Sequence, residues 1–485
     1  TSRLGGQLVA QGVAAPDENR FIEQTPGVGT RTYRELREAI RAYYAAQPGI
    51  LPNRARNVGQ CWVSRISAEP EVWEQAIRAR LEALAGAGGI RRILTRHQLI
   101  AVSRFRRSGQ YHFADFVDLD TGRVTRVASR FLLDATEMGD ALALAGMPWT
   151  VGQEARSEHG EPHAPEVARP DWIQSFTYCF FLRWQPQGPH TLVEKPEEYE
   201  FFKSLGEYTL EYRYSDPPRT VRYRVFDTAP GAAGPFWTYR RLVAAASFRD
   251  HPRYTTDLVL MNWRGNDFHE ENPIGQPLAE QLRILRRARA FAQGFLYWLQ
   301  TECPRDDGGY GYPEMQLATD ILDGGWAPHP YIRESRRLLA DFTLTENHLA
   351  PRDGRVTGDR FPDRVGIALY AMDIHPAKGE PPLLAPALPY YLPLGSFIGR
   401  SGPANVLPAA KNIGATRLAA SSTRMHPTEW NIGEVAGHLA AFCIRRQIDP
   451  RTVREDAALL AEFQAQLAAA GIPLDWEPIL AAAGQ

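Results

Sequence analysis

The sequence predicts an α/β protein in which a discontinuous α/β domain is interrupted by an inserted, mainly antiparallel β domain. Residues 130–146 form an apolar strand, a polar turn and an Ala/Leu-rich run, and residues 405–446 follow the order strand, glycine turn, helix. Between about residues 152 and 393, prolines and aromatic residues become frequent and short strand-like runs alternate with loops. This change in composition marks the inserted domain.

Length and composition exclude several classes of protein. The 485 residues can bury large cores and suffice for two domains. A net charge of −1 gives no reason to expect a nucleic-acid partner, and no window approaches the roughly 18 apolar residues that a membrane span needs. The four cysteines show no C-x-x-C spacing, so we expect buried thiols rather than a disulfide framework, a zinc site or a redox dithiol.

The first third of the chain is typical of helices followed by a strand meander. From Thr30 onwards, Tyr33, Leu36 and Ile40 recur at helical spacing with charged residues between them. The elements expected after this helix are a strand at 61–66, a helix at 71–85, and strands at 93–104, 111–119 and 123–127.

In the inserted domain, strands are expected at 175–184, 208–214 and 220–227. A long helix is expected at Leu278–Thr301, with Leu282, Leu285 and Phe291 among the inward side chains and a solvated face of arginines. A single amphipathic helix is expected at 450–470.

The segment 421–446 is predicted as a polar loop leading into the N-terminus of a buried helix. Asn431 is expected to cap this helix, because Ile432, Val435 and Leu439 then recur at helical spacing. Gly433 would let a flat ligand or another backbone approach closely. A helix N-terminus offers free N–H groups and about half a positive charge, so it is a place to hold negative charge. From these residues alone, an ordinary core helix remains the alternative.

The turn after residues 131–133 carries a family resemblance. The apolar strand ends in Asp134, Ala135 and Thr136, which resembles the Ala-Thr-Gly turn of two-domain flavoproteins of the glutathione-reductase type, with Glu137 in place of the glycine. The chain as a whole resembles the FAD-dependent oxidoreductases. Further landmarks, in matching order, are LGGQL from Leu4, TYRELREAIRAYY from Thr32, MNWRGNDFHEENPIG from Met261, YIRESRR from Tyr331, DRVGIALYAMDIHP from Asp363, Asn412 to Gly414, and the His-Pro pair 426–427.

The resemblance implies a Rossmann-like FAD-binding domain at 1–150 and 394–449, an inserted substrate domain at 151–393 and a helical segment at 450–485. The G-x-G-x-x-G fingerprint of a dinucleotide fold occurs nowhere in the sequence. We therefore expect that the first strand and helix of the FAD domain are missing, which would expose an edge of the strand ending at Asp134. A protein that has lost flavin binding is the alternative.

FAD is the implied cofactor. The resemblance places Gly5, Gly6 and Gln7 after the second strand of the FAD domain and Leu99 beside the adenine. The full set of expected cofactor contacts is Gly5, Gly6, Gln7, Leu99, Ala135, Thr136, Asn412, Gly414, Asn431, Ile432 and Gly433.

The candidate catalytic residues are His426, Arg424 and Arg333. His426 lies directly before the predicted helix and histidine exchanges protons near neutral pH, so it is the candidate acid or base; a structural histidine held in a turn is the alternative. Arg424 would hold an anionic substrate or the flavin edge, or form a salt bridge. Arg333 would orient substrate, unless its segment forms an ion-pair network in which Glu334 pairs with Arg333 or Arg336.

The predicted function is hydride transfer between FAD and a small polar or carbohydrate-like molecule; a non-catalytic binding protein on the same scaffold is the second hypothesis. No metal is expected, because the histidines at 269, 329 and 375 lack metal-ligand spacing. A cytoplasmic location is expected, although a signal peptide would be lost with a missing N-terminus. The sequence does not identify the substrate, the reoxidant or the oligomeric state.

Overall fold

Helices and short strands alternate along the whole chain. The computed structural model describes residues 1–215, 218–352 and 354–484. Its α-helices are α1 (Arg31–Ala45), α2 (Pro70–Gly86), α3 (Asp140–Leu144), α4 (Arg156–His159), α5 (Tyr199–Ser204), α6 (Leu278–Thr301), α7 (Glu346–Leu349), α8 (Arg417–Thr423), α9 (His426–Arg446), α10 (Pro450–Glu455), α11 (Ala457–Ala469) and α12 (Glu477–Ala482). Short 3₁₀ helices occur at Gly6–Leu8, Arg54–Asn57, Phe236–Thr238, Ala245–Ser247, Arg264–Asn266 and Leu394–Phe397.

The strands are mostly short. They are β1 (His97–Arg104), β2 (Tyr111–Asp118), β3 (Val124–Ala128), β4 (Leu132–Asp134), β5 (Trp149–Thr150), β6 (Phe176–Thr177), β7 (Phe180–Trp184), β8 (Glu211–Ser215), β9 (Pro218–Arg222), β10 (Arg241–Val243), β11 (Leu258–Met261), β12 (Asp267–Phe268), β13 (Met315–Leu317), β14 (Arg337–Leu338), β15 (Arg364–Ala368), β16 (Met372–Ile374), β17 (Leu383–Ala385), β18 (Tyr390–Pro393) and β19 (Val406–Pro408). This mixture of helices and strands is compatible with the α/β fold of an FAD oxidoreductase.

The chain forms two compact units. The first comprises Thr1–Asp17, Glu35–Thr95 and Ser175–Tyr331; the second comprises Glu18–Arg34, Arg96–Gln174 and Ile332–Gln485. The functional boundaries expected at residues 150, 393 and 449 stay predictions.

In the first unit, a four-stranded antiparallel sheet has the order β10-β11-β7-β13. The buried face of α6 carries Phe291 and Phe295. The prediction that Leu282 points inward was wrong: Leu278 and Leu282 are both exposed, because the first turns of α6 lie at the surface.

In the second unit, β4 and β19 form a two-stranded parallel sheet in which Leu132 pairs with Val406 and Asp134 with Pro408. The other ladders between named strands of the described residues are antiparallel, including the predicted meander β1-β2-β3. Helix α9 packs against β15 and β19 and buries Ile432, Val435 and Leu439 in a hydrophobic core of this unit. The carboxyl ends of β4 and β19 and the start of α9 therefore belong to one packed body.

The predicted N-cap of α9 was wrong by six residues. The helix begins at His426 with Met425 as N-cap, so Asn431 lies inside it instead of capping it. Pro427 explains the difference: proline has no N–H and a suitable φ, so it is favoured in the first turn of a helix. The Thr428 and Glu429 N–H groups both donate to the Met425 carbonyl and close this turn.

Three other predictions were wrong. Residues 61–66 contain no strand. Part of the expected loop at 421–425 belongs to α8, which Thr416 caps by accepting a hydrogen bond from the Ala419 N–H. The single helix expected at 450–470 is divided into α10 and α11, because the Asp456 carboxylate accepts the Ala458 and Leu459 N–H groups and starts a new helix.

No helix of the described residues is long and apolar enough to cross a membrane. All four cysteines are buried thiols, as predicted.

Candidate functional site

The carboxyl ends of β4 and β19 are fastened to each other by Asn412. Its Nδ2 donates to the Asp134 carbonyl at 3.0 Å, and the Ala409 N–H donates to the same carbonyl at 2.8 Å. The Asp134 carboxylate accepts hydrogen bonds from the Thr136 N–H and hydroxyl and from the Leu142 N–H at the start of α3. Both turns that follow the parallel strands are thus held in one geometry.

A group of charged side chains surrounds the start of α9. Lys411, in the turn after β19, forms ion pairs with Glu137 in the turn after β4 and with Glu429 in the first turn of α9, the latter at 3.6 Å. Only 2% of the Lys411 side chain is exposed. We call the following residues the α9 charge cluster: Glu137, Arg333, Asp373, His375, Lys411, Arg424 and Glu429.

The other half of this cluster is centred on Asp373, which lies on β16. The Arg424 guanidinium donates to the Asp373 carbonyl at 2.9 Å and lies 3.4 Å from its carboxylate, and His375 Nε2 lies 3.3 Å from the same carboxylate. Burial alone would raise the pKa of Asp373, but His375, Arg424 and Arg333 lower it to about 2. Asp373 is therefore ionised at neutral pH, and two of the three predicted catalytic residues, Arg424 and Arg333, stabilise its charge.

The surroundings of Glu429 shift its pKa in the direction opposite to that of Asp373. Burial raises its pKa to about 7, although Lys411 and Arg424 act to lower it, and Glu137 raises it further. Arg424 thus influences both Asp373 and Glu429 and links the two halves of the cluster. The third predicted catalytic residue, His426, is buried and begins the helix on which Glu429 lies.

The expected FAD contacts occupy different environments. Asn431 is buried, its Nδ2 has no hydrogen-bond partner among the described residues, and its amide fits against Gly366, where a Cβ atom would lie within 2.6 Å of it. Ile432 is in the core. A Cβ atom on Gly433 would lie 3.3 Å from the Ala409 carbonyl, so the helix passes close to the turn after β19.

Other expected contacts have structural roles that are independent of a ligand. A Cβ atom on Gly414 would lie 2.3 Å from the Ala340 Cβ, so glycine is needed there for close packing. The Thr136 hydroxyl accepts the Asp140 N–H, Ala135 is exposed, and Leu99 packs against a core cluster that contains Leu142. Gly5, Gly6 and Gln7 belong to the first unit, where Gly5 has a φ of 117° that favours glycine.

A second group of buried charges in the same unit has a different structure. Arg417 forms two hydrogen bonds with Glu380, at 2.7 and 2.8 Å, and one with Glu334 at 3.1 Å; Arg337 bonds Glu334 and Glu154. The sequence suggested Arg333 or Arg336 as the partner of Glu334; the pairing with Arg336 was wrong, and the pairing with Arg333 stays a prediction. Arg336 bonds Asp140 instead. We call this group the bracing network; it consists of Glu154, Glu161, Glu334, Arg337, Glu380 and Arg417.

The sequence interpretation missed Asp373, Glu429, Lys411 and the contribution of Glu137. The motif DIHP, which contains Asp373 and His375, had been noted only as a landmark. Alternation on a strand puts residues two apart on one face, and that spacing was the available signal.

The family model described as FAD dependent oxidoreductase matches residues 1–467 of the chain. The chain belongs to the FAD-dependent oxidoreductase family. It is accordingly an FAD-dependent oxidoreductase enzyme, and its cofactor is FAD. Comparisons with curated proteins and with solved structures found no match.

The residues of this FAD-dependent oxidoreductase fit such a cofactor in the second unit. The buried Asn431 amide group lacks an acceptor among the described residues, and the oxygens of FAD are hydrogen-bond acceptors. Lys411 and Arg424 supply positive charge beside the start of α9, where negative charge is also favoured by the helix dipole.

Proposed function

We propose that this enzyme transfers a hydride between FAD and a small polar or carbohydrate-like substrate bound at the start of α9. The proposal rests on one observation: Arg424 pairs with the Asp373 carboxylate two residues before His426, the first residue of α9, and Arg333 acts on the same carboxylate electrostatically. Buried arginines next to a proton-exchanging residue suit a substrate that carries oxygen atoms.

A Rossmann-like FAD-binding domain is part of the proposal. The parallel pairing of β4 with β19 supports it, because ligands of such folds bind at the carboxyl ends of parallel strands. Ala135, Thr136, Asn412 and Gly414 would shape the turns at this edge. Asn431 and Gly433 would contact the cofactor from α9; contacts by Gly5, Gly6, Gln7, Leu99 and Ile432 also stay predictions.

Bound FAD supplies the hydride acceptor or donor. Arg424 and Arg333 hold substrate oxygen atoms by charge-assisted hydrogen bonds, while Asp373 keeps the Arg424 guanidinium group oriented. His426 takes the proton of the substrate hydroxyl when the carbonyl product forms, and returns it in the reverse direction. A cytoplasmic location stays a prediction.

The substrate class is tested by anaerobic mixing of the FAD-loaded enzyme with neutral sugars, polyols and short hydroxy acids. Bleaching of the flavin absorbance is expected with members of this panel. In His426→Ala, flavin content should be nearly unchanged and the bleaching rate should fall by roughly 10²- to 10⁴-fold. An unchanged rate would contradict the role of His426, and no bleaching by any member would contradict the substrate class.

The position of FAD is tested by a matched pair of glycines one turn apart on α9. Gly433→Val places a branched side chain against the Ala409 carbonyl and beside the proposed cofactor, whereas a side chain at Gly437 meets open space within 4 Å. FAD bound per protein should therefore drop in Gly433→Val and be retained in Gly437→Val. Equal retention would mean that α9 does not face the cofactor at Gly433.

A further inference from the structure

Glu429 lies where a proton can pass between the site and water. It follows His426 by three residues on α9, and residues three apart share a helix face. Its carboxylate is 3.6 Å from the Lys411 ammonium group. About 15% of its side chain is exposed, whereas Lys411 is almost fully buried. The carboxyl group is thus enclosed by charged neighbours, with its Oε1 buried, while the side chain that carries it reaches the protein surface.

A purely structural role explains this arrangement poorly. A glutamate in the first turn of a helix stabilises the helix dipole when it is ionised. The surroundings of Glu429 instead favour its neutral form, since burial raises its pKa to about 7. Lys411 does not depend on Glu429 for neutralisation, because it already pairs with Glu137.

The charged neighbours act on Glu429 in opposite directions. Lys411 and Arg424 favour the ionised carboxylate, and Glu137 favours the protonated carboxyl. Glu137 contributes this negative charge from the turn after β4, where it pairs with Lys411. The balance leaves Glu429 able both to accept and to release a proton at neutral pH.

We propose that Glu429 stores the proton that leaves the substrate, a role that rests on the proposed function. When the substrate C–H bond breaks, the hydrogen leaves with its electron pair as hydride to FAD, and the O–H electron pair forms the carbonyl double bond. The hydroxyl proton passes through His426 to the Glu429 carboxylate, which becomes a neutral carboxyl group. Glu429 then releases this proton to water.

The test uses infrared spectra of the FAD-loaded protein before and after reduction with dithionite. Electrons arriving at FAD place negative charge near Glu429, so its carboxylate should take up a proton from water and gain a C=O band. This band should be present in the wild type near pH 7.5 and absent in Glu429→Gln. Glu434→Gln, on the same helix, is the matched control and should keep the band.

Two neighbouring variants should move the midpoint of the Glu429 titration in opposite directions. Lys411→Met removes a positive charge and should raise the midpoint, and Glu137→Gln removes a negative charge and should lower it, each by roughly one pH unit. A carboxyl group with a purely structural role would not respond to reduction. It would show neither the C=O band nor a shift of the titration midpoint.

Each outcome has a separate meaning. A reduction-induced band that persists in Glu429→Gln, or shifts of the same sign in the two neighbouring variants, would overturn the proposal. If dithionite produces the band but no member of the substrate panel bleaches FAD, the substrate class is wrong and the proton-storing role stands. If the protein retains no FAD, the proposed function and this role fail together.

Discussion

The bracing network and the α9 charge cluster are both buried groups of ionisable side chains, but they differ in how their charges are satisfied. Glu161 in the bracing network and Glu429 in the α9 charge cluster have pKa values raised by burial to about 7. Glu161 accepts the Thr416 hydroxyl at 2.6 Å and the Glu346 N–H at 2.7 Å. Glu429 instead faces a lysine that it shares with Glu137.

The comparison shows that a shifted pKa does not by itself mark a reactive residue. In the bracing network, backbone groups and paired arginines hold each carboxylate in one place, as for Arg417 between Glu334 and Glu380. In the α9 charge cluster, Glu137 and Glu429 share Lys411 and, unlike Glu334, their side chains are partly exposed. The bracing network stabilises the fold, and the α9 charge cluster allows a carboxyl group to change its protonation state.

The largest expected effect comes from breaking the bracing network. Arg417→Met leaves Glu334 and Glu380 buried without their shared cation and should reduce the free energy of unfolding by roughly 3 to 5 kcal/mol. Arg417→Lys, which keeps the charge but loses the paired hydrogen bonds with Glu380, should fall between this variant and the wild type. Urea denaturation measures the free energy of unfolding of the wild type and of both variants.

Arg286→Met, at an exposed position of α6, is the control for Arg417→Met and should change the stability by less than about 0.5 kcal/mol. If Arg417→Met proved as mild as this control, the network would not brace the fold.

The next effect tests the raised pKa of Glu161 by the pH dependence of stability. The folded-state pKa of Glu161 lies above its unfolded value, so its stabilising contribution is complete below about pH 4.5 and is lost as the pH rises through 7. Removing this titration in Glu161→Gln should make stability less dependent on pH, by about 3 kcal/mol at most between pH 4.5 and 8.

The measurement is the free energy of unfolding of the wild type and of Glu161→Gln at several pH values across this range. If the two plots of this free energy against pH were parallel, Glu161 would titrate normally in the folded protein.

A smaller effect is expected in the α9 charge cluster, where Asp373 changes stability with pH in the direction opposite to Glu161. The folded-state pKa of Asp373 is about 2, below its unfolded value, so its contribution is complete above about pH 4 and is lost as the pH falls towards 2. Asp373→Asn should therefore cost about 2 kcal/mol of stability at pH 7. The difference from the wild type should shrink below pH 4, and a constant difference would indicate lost packing rather than lost charge.

Local patterns in the sequence predicted the elements but not the partners of the charges. The helix α6, the strands β4 and β19 and the buried cysteines follow from spacing and composition. Lys411 and Glu137 are 274 positions apart, and only tertiary packing shows that they meet. The start of α9 was missed because the His-Pro pair was interpreted as a loop, although proline in a first turn is a helix signal.

The two hydrogen bonds that the Met425 carbonyl accepts have a consequence for ligand binding. Because the Thr428 and Glu429 amide hydrogens are both bonded to it, the first turn of α9 is formed before any ligand arrives. A ligand that binds there does not have to order this turn, so little conformational entropy is lost at that point. Hydrogen exchange at these two amides should accordingly be slow in the FAD-free protein and change little when FAD is added, even though the nearby charges respond to it.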